Sequence, residues 1–409
     1  MAWNKGVVLR ESFAISVYLV LYSARTRAET TSSMPNVVIF FVDDWGWGDL
    51  GANWEASKGL TPHLDRIADE GMRFKDFHAA ASVCTPSRAS LLTGRLGLRT
   101  GVVANFDHGS DGGLPQTELT IAELLKEHTS YRTGMIGKWH LGMTAGHHPN
   151  DRGFDSYMGV PYSLDMGCTS TPQYNMAPFN EARTEWLPSC AEQVRGAQCP
   201  YDTSCGMQRG ESDKALPLYE NRTIVEQPAV LEQLSGRNTA AAEEFIRSSA
   251  AMGSPFFLYY AAPHVHVPLN TDPRWESAAE GKLPGKEAFA AALLELDDEV
   301  GRLREALEEA GVAGNTLILV AGDNGPWACK CNLSGSAGPY HGIFQQRQGG
   351  SSLKATTWEG GHRVVGLAHW PGKVPAGALR MRRWWLRYPA PCCETRQEAY
   401  SSKRAARKP

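Results

Sequence analysis

The sequence has no large excess of either charge. Its 41 Lys and Arg stand against 44 Asp and Glu, a formal net charge of −3 over 409 residues. Such a chain lacks the broad basic field that attracts nucleic acid or an anionic membrane, so neither is expected as a whole-chain partner. It has no hydrophobic run long enough to span a bilayer: Phe13–Tyr22 falls short of the roughly 20 apolar residues a membrane helix needs, and no later run is longer. No internal repeat is visible, which excludes solenoids and propellers. Nor is the chain poor in apolar residues. At 42% hydrophobic and 21% charged it has enough to bury a core, which excludes a wholly disordered polymer.

The start of the chain reads as a signal peptide over residues 1–24. Lys5 and Arg10 supply the basic segment, Phe13–Tyr22 the apolar one, and Ser23-Ala24 a small-residue cleavage site. Glu11, Arg25 and Arg27 depart from the pattern, and an uncleaved anchor is the lesser reading. A secretory route gives meaning to the cysteines at 84, 168, 190, 199, 205, 329, 331, 392 and 393. Four of them lie between Cys168 and Cys205, among Pro, Gly, Ser and Thr, and read as a local disulfide staple of undetermined pairing. Asn221-Arg222-Thr223 and Asn332-Leu333-Ser334 are glycosylation triplets.

The length exceeds that of a usual single compact domain, so one large domain with appendages, or two domains, is expected. Val37–Val42 is a continuous β-rich apolar run, the mark of a strand buried on both faces. Further strands are expected over 132–136, 255–262, 316–321 and 364–370. Helices are expected after Thr61-Pro62 up to Gly71, after Thr85-Pro86 up to Gly94, and over 120–126, 240–249 and 286–310. Buried strands alternating with amphipathic helices imply an α/β fold with a largely parallel sheet flanked by helices. In such sheets ligands bind beyond the carboxyl ends of the strands, which directs attention to the residues just after each one. The domain is read as 35–377. Residues 378–409 form a divergent, basic tail, expected to be disordered, as an alternative or aberrant end of the message would be; binding of nucleic acid or acidic lipid is the lesser reading.

Asp43 and Asp44 follow the first strand directly, and Asp323 and Asn324 follow the strand over 316–321. Either pair alone is an ordinary strand-end cap. Together they make an all-oxygen cluster, which suits Ca²⁺ or Mg²⁺ better than Zn²⁺. Cys84 opens a short helix, where free N–H groups favour an anion, and Arg88 lies in the first turn and could grip a tetrahedral oxyanion. Alone, such a Cys is a small buried residue or half of a disulfide. Lys138 and His140 would point the same way if the backbone between them stays extended, one to balance anionic charge and one to move protons. His264, His266 and Lys354 follow later strands and are packed or solvated side chains unless they gather at the same place.

Five blocks in order carry a resemblance. Cys84-Thr85-Pro86-Ser87-Arg88 with Leu91–Arg95 resembles the sulfatase signature, and Tyr131–His140 its second block. Asp43–Asp49 and Gly322–Pro326 are similar to the metal motifs, and Trp358–Arg363 to a further block. Over about 35–377 the chain resembles the sulfatase family, leaning toward the arylsulfatase A and G group, nearer G. The resemblance implies an alkaline-phosphatase-like fold with a large mixed, mainly parallel sheet, and hydrolysis of a sulfuric ester. It implies that Cys84 is oxidised to formylglycine during translocation by the formylglycine-generating enzyme. One hydroxyl of the hydrated aldehyde then attacks sulfur, and the other expels sulfate. By position, one Ca²⁺ would be held by Asp43, Asp44, Asp323 and Asn324 with residue 84. Arg88 and Lys138 would stabilise the hydrate, and His140 would be the base of the second step. His266 and Lys354 would face the ester oxygen, and Ser163 would contact the substrate. His266 is chosen over His264 because it precedes Val267-Pro268. The implied substrate is a sulfated carbohydrate, a glycosaminoglycan such as heparan sulfate, or an aryl sulfate. The implied compartment is the lysosome, with extracellular or endoplasmic-reticulum-retained protein as alternatives.

Family members continue past the point where this chain diverges, into a smaller C-terminal domain with an antiparallel sheet. That domain is expected to be missing here. A competing expectation is therefore a catalytically inactive truncated form that acts only through binding or misfolding. Related phosphatases and phosphodiesterases carry Ser or Thr at the nucleophile position and bind zinc, so Cys84 and the oxygen-only cluster argue against that class.

Overall fold

The computed structural model describes residues 34–167, 215–342, 352–381 and 384–385. The expected signal peptide, the Cys168–Cys205 staple, Cys392-Cys393 and the tail beyond Trp385 lie outside the described residues. Among the described residues, no helix is long and apolar enough to cross a membrane.

The strand at the centre of the molecule is β1 (Asn36–Val42), buried along its whole length. Its side chains alternate between two cores, as the period of a strand requires. Val38, Phe40 and Val42 join one apolar cluster; Val37, Ile39 and Phe41 join the other. A one-residue slip would exchange the two sets, so the register is fixed by packing on both faces. The ten-stranded sheet can be followed from one edge to the other. It begins with β11 (Ala378–Arg380), β2 (Met72–Phe74), β10 (Gly366–His369) and β9 (Thr316–Gly322). After β1 come β8 (Phe256–Ala262), β4 (Arg132–Gly137), β5 (Ser156–Gly159), β6 (Leu218–Glu220) and β7 (Thr223–Glu226). The centre, β9-β1-β8-β4-β5, is parallel; β10 runs antiparallel to β9 and to β2, and β5, β6 and β7 are successively antiparallel. The sheet is thus mixed and mainly parallel, as expected.

Helices α1 (Pro62–Glu70), α5 (Leu234–Ala251), α6 (Pro273–Ala279) and α7 (Glu287–Glu309) cover the face carrying Phe40. Helices α2 (Cys84–Thr93) and α4 (Ile121–His128) cover the face carrying Phe41, with the single turn α3 (Gly97–Thr100) beside α2 and α8 (Glu359–His362) later in the chain. The start of α4 is set by a capping box: Thr120 Oγ1 accepts from Glu123 N at 3.1 Å, and Glu123 Oε2 accepts from Thr120 N at 2.7 Å.

Strand pairing continues past Gly377, where the sequence reading placed the end of the domain. Ala378 pairs with Met72, and β12 (Trp384–Trp385) pairs with β3 (Phe77–His78) in a separate two-stranded ladder. For function, the register at the centre matters most. Val42 lies opposite both Ala262 and Gly322, and Gly137 opposite Ala261. Four parallel strands therefore end at one level, and whatever follows each of them emerges on one rim.

Candidate active site

Asp43, Asp44, Asp323 and Asn324 lie on this rim, all of them buried. Asp44 has a left-handed backbone (φ 55°), a region Asp tolerates better than most residues. In that turn its N–H donates to Asp323 Oδ1 at 3.1 Å, and its Oδ1 accepts from Asn324 Nδ2 at 2.7 Å. Gly325 lets the following loop close tightly: a Cβ there would lie 1.8 Å from the carbonyl oxygen of Gly360.

Helix α2 begins at Cys84 from an extended Val83 and closes at Gly94, which is left-handed (φ 68°). Arg88 is one turn on, on the same face as Cys84. Its Nε and Nη2 donate to Asp323 Oδ2 at 3.1 and 2.8 Å, and Nη1 donates to the Lys138 carbonyl at 2.8 Å. The side chains around Cys84 close a ring. Cys84 Sγ lies 3.4 Å from Asp43 Oδ1, and Asp43 Oδ2 accepts from Lys138 Nζ at 2.5 Å. Lys138 Nζ also donates to Ser163 Oγ at 3.1 Å, and that hydroxyl is 3.2 Å from His266 Nε2. His266 Nε2 is 3.6 Å from Asp44 Oδ2, Asp44 Oδ1 accepts from Lys354 Nζ at 2.5 Å, and Lys354 Nζ returns to Cys84 Sγ at 3.5 Å. Backbone bonds hold the Lys354 loop in place: its N–H donates to Pro326 O at 3.0 Å, and Ala355 N–H to Ser82 O at 2.8 Å.

The electrostatics follow from this packing. Burial opposes ionisation of Asp43, but Lys138, His266, Arg88 and Lys354 outweigh it and hold its carboxyl well below the ordinary range. Burial and the Asp43 charge push Asp323 up to about 7, against the pull of Arg88. Burial would lower the Lys138 and Lys354 ammonium groups, yet Asp43 for the first and Asp44 for the second hold them above the ordinary lysine value. The Cys84 thiol is pushed up by burial and then by Asp43, so the thiolate is disfavoured.

The backbone at Lys138 and His140 is not the extended one that would point both side chains the same way. Gly137 (φ 100°) and His140 (φ 58°) take the backbone out of the extended form, so the two-residue alternation fails. The Lys138 side chain enters the ring, whereas His140 Nε2 donates to the carbonyl of Phe106 at 2.9 Å. That bond leaves Nδ1 as the basic nitrogen, buried and without a hydrogen-bond partner among the described residues. Burial, then Lys138 and Arg88, hold the imidazole well below its usual value. His140 also lines a cavity of about 220 Å³ walled by Phe106, Met143, Tyr162 and Tyr219. Its carbonyl accepts from Thr85 Oγ1 at 3.0 Å, which ties it to the residue after Cys84.

Ten of the expected residues thus meet at one place: Asp43, Asp44, Cys84, Arg88, Lys138, Ser163, His266, Asp323, Asn324 and Lys354. Asn221, in the β6–β7 turn, and Asn332, after β9, are exposed and away from this cluster. His264 turns the other way, with Nε2 2.9 Å from Glu295 Oε2 of α7. Sequence reasoning passed over that Glu295 pairing and Trp327, whose ring lies against His266 and Lys354. The only signal for Trp327 was its place directly after the Gly322–Pro326 block.

The donor set fits a divalent cation. Asp43, Asp44, Cys84 and His266 each offer a ligand atom within 4.8 Å of one another, and Asn324 Oδ1 is buried without a hydrogen-bond partner among the described residues. A hard cation would satisfy that oxygen and relieve the carboxylate repulsion that raises Asp323. Three cationic side chains, Arg88, Lys138 and Lys354, face three carboxylates, Asp43, Asp44 and Asp323. The cluster is balanced by itself, and a divalent ion would make it an anion site.

Comparison with known proteins places the chain in a family. The family model described as "Sulfatase" matches residues 35–402. Arylsulfatase G of Rattus norvegicus is 51% identical over 347 residues, covering 85% of this chain and 62% of the relative. Arylsulfatase A of Homo sapiens is 37% identical, covering 84% of this chain and 60% of the relative. The crystal structure of the PsFucS1 sulfatase from Pseudoalteromonas sp. superposes with a TM-score of 0.68 at 29% identity, over 91% of this chain and 68% of that one. The chain spans about three fifths of the length of these two curated relatives.

Proposed function

The chain belongs to the sulfatase family, and we propose that it hydrolyses a sulfuric ester, either of a sulfated carbohydrate such as the glycosaminoglycan heparan sulfate or of an aryl alcohol. The observation that carries this reading is the closed ring of buried polar groups around Cys84, with three fixed cations aimed into it. A sulfate ester is an anion that gains charge on its leaving oxygen in the transition state. Cations prepositioned in a buried pocket meet that need without reorganising.

Within this reading, Asp43, Asp44, Asp323 and Asn324, with the side chain of residue 84, would hold Ca²⁺, which would supply charge neutralisation and Lewis-acid polarisation at this rim. Formylglycine, made from Cys84 by the formylglycine-generating enzyme in the secretory pathway, supplies the nucleophile. Arg88 fixes Asp323 and lies 3.5 Å from Asp43, and Lys138 sits between Asp43 and Ser163, so both stabilise negative charge near residue 84. Neutral His140 accepts a proton at Nδ1. Nδ1 of His266 donates to Val267 O at 2.6 Å, which directs Nε2 to Ser163 and the reaction side, where Lys354 is its neighbour. These two groups assist the leaving oxygen. The exposed Asn221 and Asn332 are glycosylated, and the lysosome is the site of action.

The test is peptide mass spectrometry of the Cys84 region in protein made by a secretory host, beside turnover of 4-nitrophenyl sulfate. Conversion of the thiol to an aldehyde and loss of turnover in Cys84→Ala are expected. Full activity in Cys84→Ala would overturn the reading.

A further inference from the structure

The loop after β9 brings one aromatic ring against one cation of this site, Lys354, its histidine His266, and a further lysine, Lys330. Trp327 is half-buried. The Lys354 ammonium lies 4.6 Å from its ring centroid and the Lys330 ammonium 4.2 Å, and the His266 ring is centred 5.5 Å away at 48°. From this arrangement we propose that Trp327 is a positioning residue for the leaving-group side of the site, its indole holding Lys354 and His266 where both reach the ester oxygen.

Three features argue for it. First, an ammonium carries three N–H donors. For Lys354, Asp44 Oδ1 at 2.5 Å and Cys84 Sγ at 3.5 Å take two of them. The indole face offers the electron density that attracts the remainder, so the ring fixes where a flexible four-carbon side chain ends. Second, the loop is tied at both sides of the contact: Lys354 N–H donates to Pro326 O at 3.0 Å, and Lys330 N–H to Trp327 O at 2.9 Å. The indole therefore moves with the strand-end loop that carries Asp323 and Asn324, and couples the cation-binding side of the site to its leaving-group side. Third, the surroundings are charged rather than apolar. Three charged or titratable side chains, His266, Lys330 and Lys354, are arranged about this ring. An indole serving only as core filling would be packed among aliphatic groups.

The inference rests on the sulfatase reading only in naming the oxygen that the two groups reach. The experiment uses the full chain from a secretory host as wild type, W327L and W327F. Each is assayed on aryl sulfates graded from 4-nitrophenol, a good leaving group, to phenol, a poor one. W327L is expected to lose about tenfold in kcat on the first and about a hundredfold on the second, the loss that misplacing a catalytic group by an ångström produces. W327F is expected to recover most of the loss because a phenyl face still attracts a cation. An equal loss across the series, or W327F no better than W327L, would overturn the proposal. If W327L fails to fold, W327F decides alone, by a leaving-group dependence steeper than that of the wild type or not. A second arm measures binding of inorganic sulfate by calorimetry, which needs no turnover, and W327L is expected to weaken it about tenfold. Wild type that binds sulfate without hydrolysing esters, with weaker binding in W327L, sinks the hydrolase reading and keeps the positioning role. Unchanged sulfate binding in W327L, or no sulfate binding by wild type, counts against the positioning role.

Discussion

Replacing Glu295 by Gln should cost the folded chain about 1–2 kcal/mol near pH 5.5 and clearly less near pH 8. The pair it breaks is His264 Nε2 with Glu295 Oε2 at 2.9 Å, between two residues that are 3% and 4% exposed. Glutamine keeps the shape and removes the charge, turning a charge-assisted bond worth about 1.5–3 kcal/mol into a neutral one worth about 0.5–1.5 kcal/mol. The other carboxylate oxygen accepts from Asp272 N at 3.3 Å, so the single amide oxygen of glutamine cannot serve both partners. The pH dependence comes from His264. Burial lowers its pKa, but the Glu295 hydrogen bond and charge, with Glu299 behind, outweigh burial and the net shift is upward. A raised histidine contributes stability that is fully present below its unfolded value of about 6.5 and is lost as the pH rises through the folded value. Glu299 works in the same direction. Burial, with Glu295 among the contributors, pushes it up to about 7, so removing the Glu295 charge eases its ionisation at higher pH and offsets part of the cost there. Urea midpoints of wild type and E295Q at the two pH values, read by far-UV circular dichroism, measure the difference. A loss that is equal at both, or greater at pH 8, would refute the reasoning.

Asp323→Ala should cost about 3–5 kcal/mol of stability, because it leaves the fully buried Arg88 guanidinium without its two bonds; Asp323→Asn should fold better, and thermal unfolding separates them. Chelation with EGTA should lower the unfolding midpoint of wild type, with added Ca²⁺ restoring it, and no shift would count against a cation at Asp43, Asp44, Asp323 and Asn324. Gly325→Ala should lose at least about 3 kcal/mol or fail to accumulate as soluble protein, since the new Cβ would sit 1.8 Å from a backbone oxygen; solubility and circular dichroism report it.

The sequence made the central strands legible because β1, β8 and β9 are buried on both faces and so appear as unbroken apolar runs. The outer strands were not legible. β2, β6 and β7 are three or four residues long and only partly buried, so neither alternation nor a run marks them. The direction of β10 was also hidden, because a buried strand has the same composition whichever way it runs. At the site, the difference between His264 and His266 lies in Glu295, a partner about thirty residues further on that no local pattern discloses. At His140 the departure from alternation has a local cause: positive φ angles at Gly137 and His140 take the backbone out of the extended form that alternation requires. Ser163, His266 and Lys354 were named through the family resemblance, but the grouping of the strand-end carboxylates follows from the parallel register. Asp44 and Asp323 are separated by 279 positions, yet Val42 and Gly322 are Cα partners, so the residues that follow them have to emerge side by side. In a parallel sheet the residue after a strand is already a coordinate, and this turns widely spaced Asp, Asn and Lys motifs into one cluster before any side chain is placed.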